Sequence, residues 1–380
     1  MTGRVYLDYN ATAPIRPEAE AAVLHALRTG GNPSSVHAAG RAARSIVEKA
    51  REQVAALVGA RPADVVFTSG GTEANAIAIE SAVLGAGARR LIVGATEHPS
   101  VLETAMATGR PLDVWPVDQD GRADLGWLKA RLESWDSADG RPFAALMLAN
   151  NETGVIQPVA EAAALVQAAG GWLHVDAVQA AGKLPIRIYE LADTMAVSSH
   201  KLGGPSGAGA LIANCGAELV RRTHGGGQEK GRRGGTENLS GIAGFGAAAE
   251  ASLKELRTGD SAWRDAVAER LKQAGAVVLG ESAPRLDQTL CIGAPGFSSE
   301  LQVMALDLAA VMVSSGAACS SGKVKASHVI EAMGRPDLAA CAIRVSGGWA
   351  STPDDWSRFA DAWLEAHARH AARTRPLVEA

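Results

Sequence analysis

Between about Arg41 and Val58 apolar positions recur every three or four residues, at Ala43, Ile46, Val47, Ala50, Val54, Leu57 and Val58, and Gly59 follows. That spacing predicts an amphipathic helix with a stop signal at its end. The pattern then breaks into short β-branched or aliphatic runs: Val65-Val66-Phe67, Leu91-Ile92-Val93, Val114-Trp115, Ala144–Leu148, Trp172–Val175, Met195–Val197 and Ala210–Ile212. Helix-like stretches at Ser100–Ala107, Asp124–Leu132 and Val159–Ala169 separate several of them. Such alternation predicts an α/β fold, a mostly parallel sheet with helices on both faces, whose ligands sit outside the carboxyl ends of the strands.

Past about Glu250 the rhythm changes. A helix near Ala262–Ala274 precedes strand-like runs at Val277–Leu279, Thr289–Ile292 and Ile343–Val345, and a closing helix over about Asp354–His370 carries Trp356, Phe359, Ala360, Trp363 and Leu364 at helical spacing. The expectation is a large domain over 14–250 and a smaller α+β domain built from 1–13 and 251–380, with no repeat or low-complexity linker between them.

A chain of 380 residues, 47% of them hydrophobic, is long enough for two such units. Its 42 glycines and 4% aromatics suit many tight strand-to-helix turns. A formal net charge of -4 gives no basic field for a nucleic-acid backbone or an anionic membrane, so neither is expected as a direct partner. The first residues contain no apolar leader, and no run approaches the ~18 apolar residues of a spanning helix. The expected location is cytoplasmic. Four cysteines (Cys215, Cys291, Cys319, Cys341), far apart and without a Cys-x-x-Cys pair, argue against a zinc site or a disulfide framework.

The densest chemistry is Trp172-Leu-His-Val-Asp176-Ala-Val-Gln179, followed by Ser198-Ser-His-Lys201-Leu-Gly-Gly. A carboxylate at the end of a buried strand, then a lysine among small residues after the next strand, is the pair that pyridoxal 5'-phosphate (PLP) chemistry requires: the amine tethers the cofactor and the carboxylate keeps the pyridinium protonated. Each residue alone would read as a strand-end ion pair or a solvated lysine; the pairing changes the reading. Phe67-Thr-Ser-Gly-Gly71-Thr72 runs from a strand into a helix start, where backbone N–H groups and the Thr72 hydroxyl can meet a phosphate. Gly225–Thr236, rich in glycine, is a second phosphate contact or a mobile surface loop.

Several further segments carry a family resemblance: Tyr6-Leu-Asp-Tyr-Asn-Ala-Thr-Ala-Pro14, Gly31-Asn-Pro-Ser-Ser-Val-His37, Thr96-Glu-His98-Pro-Ser, Asn150-Asn-Glu-Thr-Gly154 and Ile343-Arg344-Val-Ser. With the Asp176 and Lys201 segments, in this order and over nearly the whole chain, they resemble the cysteine desulfurases of PLP fold-type I, in the class V aminotransferase group and its nitrogen-fixation and iron-sulfur-cluster subgroup. The resemblance implies Lys201 as the Schiff-base lysine, Asp176 as the pyridinium partner and Gln179 as the partner of the ring hydroxyl. It implies phosphate contacts from Thr72, Ser198 and His200, and from Thr236 of a neighbouring subunit, hence a homodimer. His98 would stack on the ring and shuttle protons, Asn151 would lie beside the cofactor, and Arg344 would clamp the carboxylate of L-cysteine with its planar fork.

Val313-Ser-Ser-Gly316-Ala-Ala-Cys319-Ser-Ser-Gly322 decides the reaction. Its small, polar residues predict a mobile loop and a reactive thiol, whereas Cys291 and Cys341, in strand-like runs, read as small buried hydrophobes, and Cys215 as structural. A desulfurase requires such a thiol to take the substrate sulfur as a persulfide, leave alanine, and pass the sulfur to an acceptor or cluster-scaffold protein. The alternative within the same fold is a selenocysteine lyase, transaminase or epimerase. Ser206 replaces the family's usual lysine, and Lys323-Val-Lys325-Ala stands where acidic and proline residues are common, which bears on partner preference.

Overall fold

Strands β1 (Val5–Tyr6), β2 (Val65–Thr68), β3 (Leu91–Gly94), β4 (Leu112–Trp115), β5 (Phe143–Ala145), β6 (Trp172–Asp176), β7 (Thr194–Ser198) and β8 (Gly209–Ala213) occupy the first two thirds of the chain. Val277–Val278, Thr289–Gly293, Val311–Met312 and Ala342–Ser346 follow as β9, β10, β11 and β12. This computed structural model describes residues 3–214, 217–256, 261–316 and 326–374. Cys215 and Cys319 lie outside the described residues.

Seven strands form one sheet in the order β2-β8-β7-β6-β5-β3-β4, and every pairing is parallel except the two made by β8. Alternate residues of the same strands feed two apolar layers. Phe67, Ile92, Ala144, Leu173, Val175 and Val197 enter one core, while Leu91, Val93, Phe143, Ala145 and Trp172 enter another with Val101 and Ala105. Both faces are therefore covered, as the near-continuous apolar strands predict. Helix Ala38–Leu57 buries Ala43, Val47, Ala50 and Val54 on one stripe, and Gly59 beyond its end adopts φ +65°.

The expected Ala144–Leu148 strand ends at Ala145, although Leu146 and Leu148 still donate to His174 O and Asp176 O. The chain there bends into the turn around Asn150, whose backbone N–H meets Val155 O. Helices Pro17–Thr29, Leu239–Lys254 and Ser299–Leu308 do not stand out in the apolar pattern. In Leu239–Lys254 the reason is packing: a Cβ on Gly246 would stand 2.6 Å from the Ala50 Cα, so glycine lets the two helices touch. This helix runs past residue 250.

A second core gathers Val5, Leu7, Leu290, Ile292, Ile343, Val345, Phe359 and Trp363. Its antiparallel sheet, β12-β10-β9, is joined to the parallel β1-β11 pair by bridges Asp8–Ser346 and Ser314–Arg344. From β1 the chain crosses to the large sheet, where Ala13 N donates to His200 O at 2.9 Å. Residues 8–13 thus bring the second core against the carboxyl ends of the parallel strands. Among the described residues no helix is long and apolar enough to cross a membrane.

Candidate active site

The parallel strands β2, β6 and β7 end at Thr68, Asp176 and Ser198, on one edge of the sheet. Lys201 follows Ser198 in a single 3-10 turn, Ser199–Lys201. Its Nζ donates to Asn10 O at 2.5 Å and Ala11 O at 2.9 Å. Burial and the Arg344 guanidinium lower the amine to about 8, against the opposing pull of Asp176 and Asp8. An amine so perturbed is partly neutral, and nucleophilic, near physiological pH.

Asp176 is buried, with both oxygens engaged: Asn75 Nδ2 donates to Oδ2 at 2.8 Å and Val178 N to Oδ1 at 2.9 Å. Asn75 is held in turn by His174, whose Nε2 lies 2.9 Å from Asn75 Oδ1. Burial drives His174 to a pKa of about 4, so the ring is neutral. The donated proton of that contact therefore sits on Nε2, since Asn75 Oδ1 only accepts. Gln179 Nε2 donates to Asn10 O at 2.8 Å.

His98 caps helix Pro99–Ala107 with Nδ1, which accepts from Ser100 N at 3.1 Å. That contact leaves Nε2 as the protonated nitrogen. His98 is exposed at this end of the sheet; desolvation by the surrounding protein lowers its pKa, while the negative Asp176 raises it and Lys201 lowers it further. Glu97, next to it in sequence, is fully enclosed, and burial together with Asp176 raises its pKa well above its ordinary value. Its Oε1 accepts from Met147 N.

At the opposite end, helix Gly71–Leu84 begins at Gly70 with no side-chain cap. A Cβ on Gly71 would come within 2.7 Å of Val178 Cγ2 and 3.7 Å of Ser198 Cβ, so glycine there keeps the helix start against Ser198. Thr72 is exposed one residue on. His200 is lowered to about 4 by burial and Lys201, and its Nδ1 lies 3.1 Å from Thr12 Oγ1. Uncapped helix N–H groups with the Thr72 and Ser198 hydroxyls suit a phosphate, with the His200 imidazole two residues past Ser198, and the amine and locked carboxylate suit a pyridine aldehyde; the residues fit PLP.

Arg344, on β12, is buried. Its Nη2 donates to Asp8 Oδ1 at 2.8 Å and Nη1 to Asn151 O at 3.1 Å, while Nε is buried without a hydrogen-bond partner. The structure thus brings Asn151 and Arg344 together through a backbone carbonyl. Thr236 is exposed, three residues beyond Arg233, which pairs with Glu73 of helix Gly71–Leu84 at 3.0 Å. The glycine-rich stretch before it is pinned rather than free, because Glu229 is buried in an ion pair with Arg51 at 2.8 Å. Cys291 is buried in β10, where desolvation pushes its thiol pKa up, and Cys341 is half-buried. Both fit a structural role.

Sequence reading missed Asn10, Asn75, Glu97 and Lys183. Signals existed for each: Asn10 and Glu97 sit inside quoted motifs, Asn75 three residues after Thr72, and Lys183 four after Gln179. A polar side chain at those offsets carries no mark of burial until the strands are assembled.

The fold and this edge of the sheet define a PLP-type α/β enzyme. Residues 5–359 match the family "Aminotransferase class-V", and the chain belongs to it. A cysteine desulfurase of Cereibacter sphaeroides is 44% identical over 359 residues, 90% of each chain. Among solved structures, a NifS-like protein from Rickettsia africae superposes with a TM-score of 0.87 at 30% identity, covering 96% of this chain and 99% of that one. SspA in complex with cysteine is a further neighbour, at TM-score 0.79 and 26% identity, covering 90% of this chain and 98% of that one.

Proposed function

We propose that this protein is a PLP-dependent cysteine desulfurase that converts L-cysteine to L-alanine and receives the sulfur on Cys319. The observation that carries the reading is the amine of Lys201, lowered to about 8, set with the doubly bonded carboxylate of Asp176 at the ends of neighbouring strands. When bound, PLP withdraws electron density from the substrate amino acid. Lys201 tethers it, Asp176 accepts from the ring nitrogen, and Gln179 donates to the ring oxygen. Gly71, Thr72, Ser198 and His200 hold the phosphate. His98 would face the cofactor and give or take a proton at Nε2. Arg344, seated on Asn151 O, binds the substrate carboxylate and so orients the thiol side chain.

Cys319 follows Gly316 by three residues in the sequence. A Cβ on Gly316 would lie 3.0 Å from Glu152 Oε2, and Ser327, past the other end of the segment, donates to the same oxygen at 2.5 Å. His328 then meets Glu97 O at 3.0 Å, one residue from His98. Gly316, Ser327 and His328, described residues that flank the Cys319 segment, are therefore held beside the site. A Cys319 thiolate forms an S–S bond with the substrate sulfur as the C–S bond breaks; the electron pair left on carbon takes up a proton, giving alanine. A sulfur-acceptor or cluster-scaffold protein removes the persulfide. Residues 14–254 form the cofactor domain, helix Leu239–Lys254 included, and 1–13 with 255–380 the smaller one; the protein acts in the cytoplasm as a homodimer in which Thr236 reaches the neighbouring phosphate.

The test is PLP reconstitution followed by incubation with cysteine. Lys201→Ala should give no visible cofactor band, and Cys319→Ala should keep the band but release no sulfide under reductant. Mass analysis should find one added sulfur on the peptide containing Cys319. Sulfide release from the Cys319 variant at the parent rate would refute the sulfur-acceptor assignment.

A further inference from the structure

Lys183 has none of the roles above, yet it stands between two amides of the site. It follows Gly182 in the turn after Gln179, half-buried at the wall of a cavity of about 440 Å³ that Tyr9, Arg16, Trp263, Trp349 and Lys201 also line. Its Nζ donates to Gln179 Oε1 at 2.9 Å and to Asn10 Oδ1 at 3.0 Å. An amide whose oxygen faces an amine donor turns its NH2 the other way. Gln179 Nε2 accordingly donates to Asn10 O at 2.8 Å, and Asn10 Nδ2 to Thr289 Oγ1 at 3.0 Å and Asn151 O at 3.3 Å. Asn151 O is the acceptor that Arg344 Nη1 also uses.

One amine thus sets the direction of both amides and, through Asn10, ties the Gln179 side of the cleft to the Arg344 side. Flipping either amide would oppose N–H to N–H and lose two hydrogen bonds. Burial, with Lys201 and Arg344 nearby, lowers Lys183 to about 7. Both its charged and neutral forms still supply the two N–H groups the arrangement uses.

We infer that Lys183 is a positioning residue: it holds the Gln179 amide with Nε2 available as a donor to the cofactor's ring oxygen and secures the Asn10 to Asn151 link beneath Arg344. This rests on the PLP reading proposed above. The test is a pH titration of the visible band of the PLP-loaded enzyme. In Lys183→Met the Gln179 amide is held only by its Nε2 bond to Asn10 O, so it turns its carbonyl toward the ring oxygen more readily and the deprotonated chromophore loses part of a donor. The midpoint should rise by about half a pH unit or more. Lys183→Arg, a donor-only side chain with the cavity to extend into, should return the midpoint to the parent's. Lys183→Gln, which no longer dictates the neighbouring amide's direction, should shift it with the same sign and serves if the Met variant does not fold. In a Gln179→Met background the Lys183→Met shift should vanish; its persistence would mean a direct charge effect and overturn the assignment. An unshifted midpoint in Lys183→Met, with or without a loss of thermal stability, overturns it as well. A parent protein with no visible band would instead sink the cofactor reading, so the two failures are distinct.

Discussion

Glu229→Gln should cost the fold about 3–5 kcal/mol, the usual penalty for stranding one member of a buried ion pair. Glu229 meets Arg51 through two bonds of 2.8 Å, and both side chains are nearly fully buried. Gln keeps the volume and can still accept from Phe67 N, which meets Glu229 Oε2 at 2.9 Å, so the substitution isolates the charge. What remains is a pair of guanidiniums. Arg51 and Arg232 both donate to Val65 O, at 2.9 and 3.0 Å, and Glu229 is a carboxylate that offsets both. That crowding favours the upper half of the range. Glu229 and Lys230 also hold φ of 48° and 56°, a left-handed conformation costing roughly 1–2 kcal/mol per residue that the ion pair keeps in place. With an unfolding entropy of about 2.1 cal/mol/K per residue, a chain of this length loses roughly 1.2 °C per kcal/mol, so the melting temperature should fall by roughly 4–6 °C. Calorimetry reads this directly, and trypsin should cut faster within 225–236. A melting temperature within about 1 °C of the parent's would refute the reasoning. Adding Arg51→Met should recover part of the loss, since it removes the stranded charge.

Two pH responses follow from the buried bases. His174 has a folded pKa of about 4 against 6.5 unfolded, so between those values the unfolded chain binds more protons and stability falls as pH drops. The loss should be about 2 kcal/mol at pH 5, read as a lower urea midpoint than at pH 7, and an unchanged midpoint would count against it. Lys201, lowered to about 8, should capture PLP at a rate that levels off above that pH and falls about tenfold per unit below it. A rate still climbing at pH 10 would mean an ordinary lysine.

The parallel sheet was legible because its strands are short, apolar and separated by helical spacing, and because a buried sheet needs no polar face. Asp176 and Lys201 were legible for a related reason: charged groups at the exits of apolar strands stand out against their background. Helix Leu239–Lys254 was not legible, since Gly241, Gly244 and Gly246 lower helix propensity and blur the stripe. Gly246 serves contact with Ala50 on a helix nearly two hundred residues away, and Gly244 with Val23 and Pro205, and no local window registers such contacts. The same holds for the loop at 225–236. Its composition reads as mobile, and only the arrival of Arg51 beneath Glu229 ties it down.

Polar residues around the cofactor cleft divide along the same line. Those that would touch a ligand sit where the local chain exposes them: at strand ends, at a helix start, after a turn. Those that hold other residues in place do so across long separations: Asn10 to Gln179, Asn75 to Asp176, Glu152 to Ser327. Their bonds exist only once β6, β7 and the N-terminal crossover are assembled, so an Asn or Lys at such a position looks like any surface residue until then. The consequence is physical. A cleft whose ligand contacts are local but whose supports are distant stays correctly shaped only while the two cores remain docked, and Asn10, bonded to Thr289 and Ser346 on one side and to Gln179, Lys183 and Lys201 on the other, is where that docking reaches the amine.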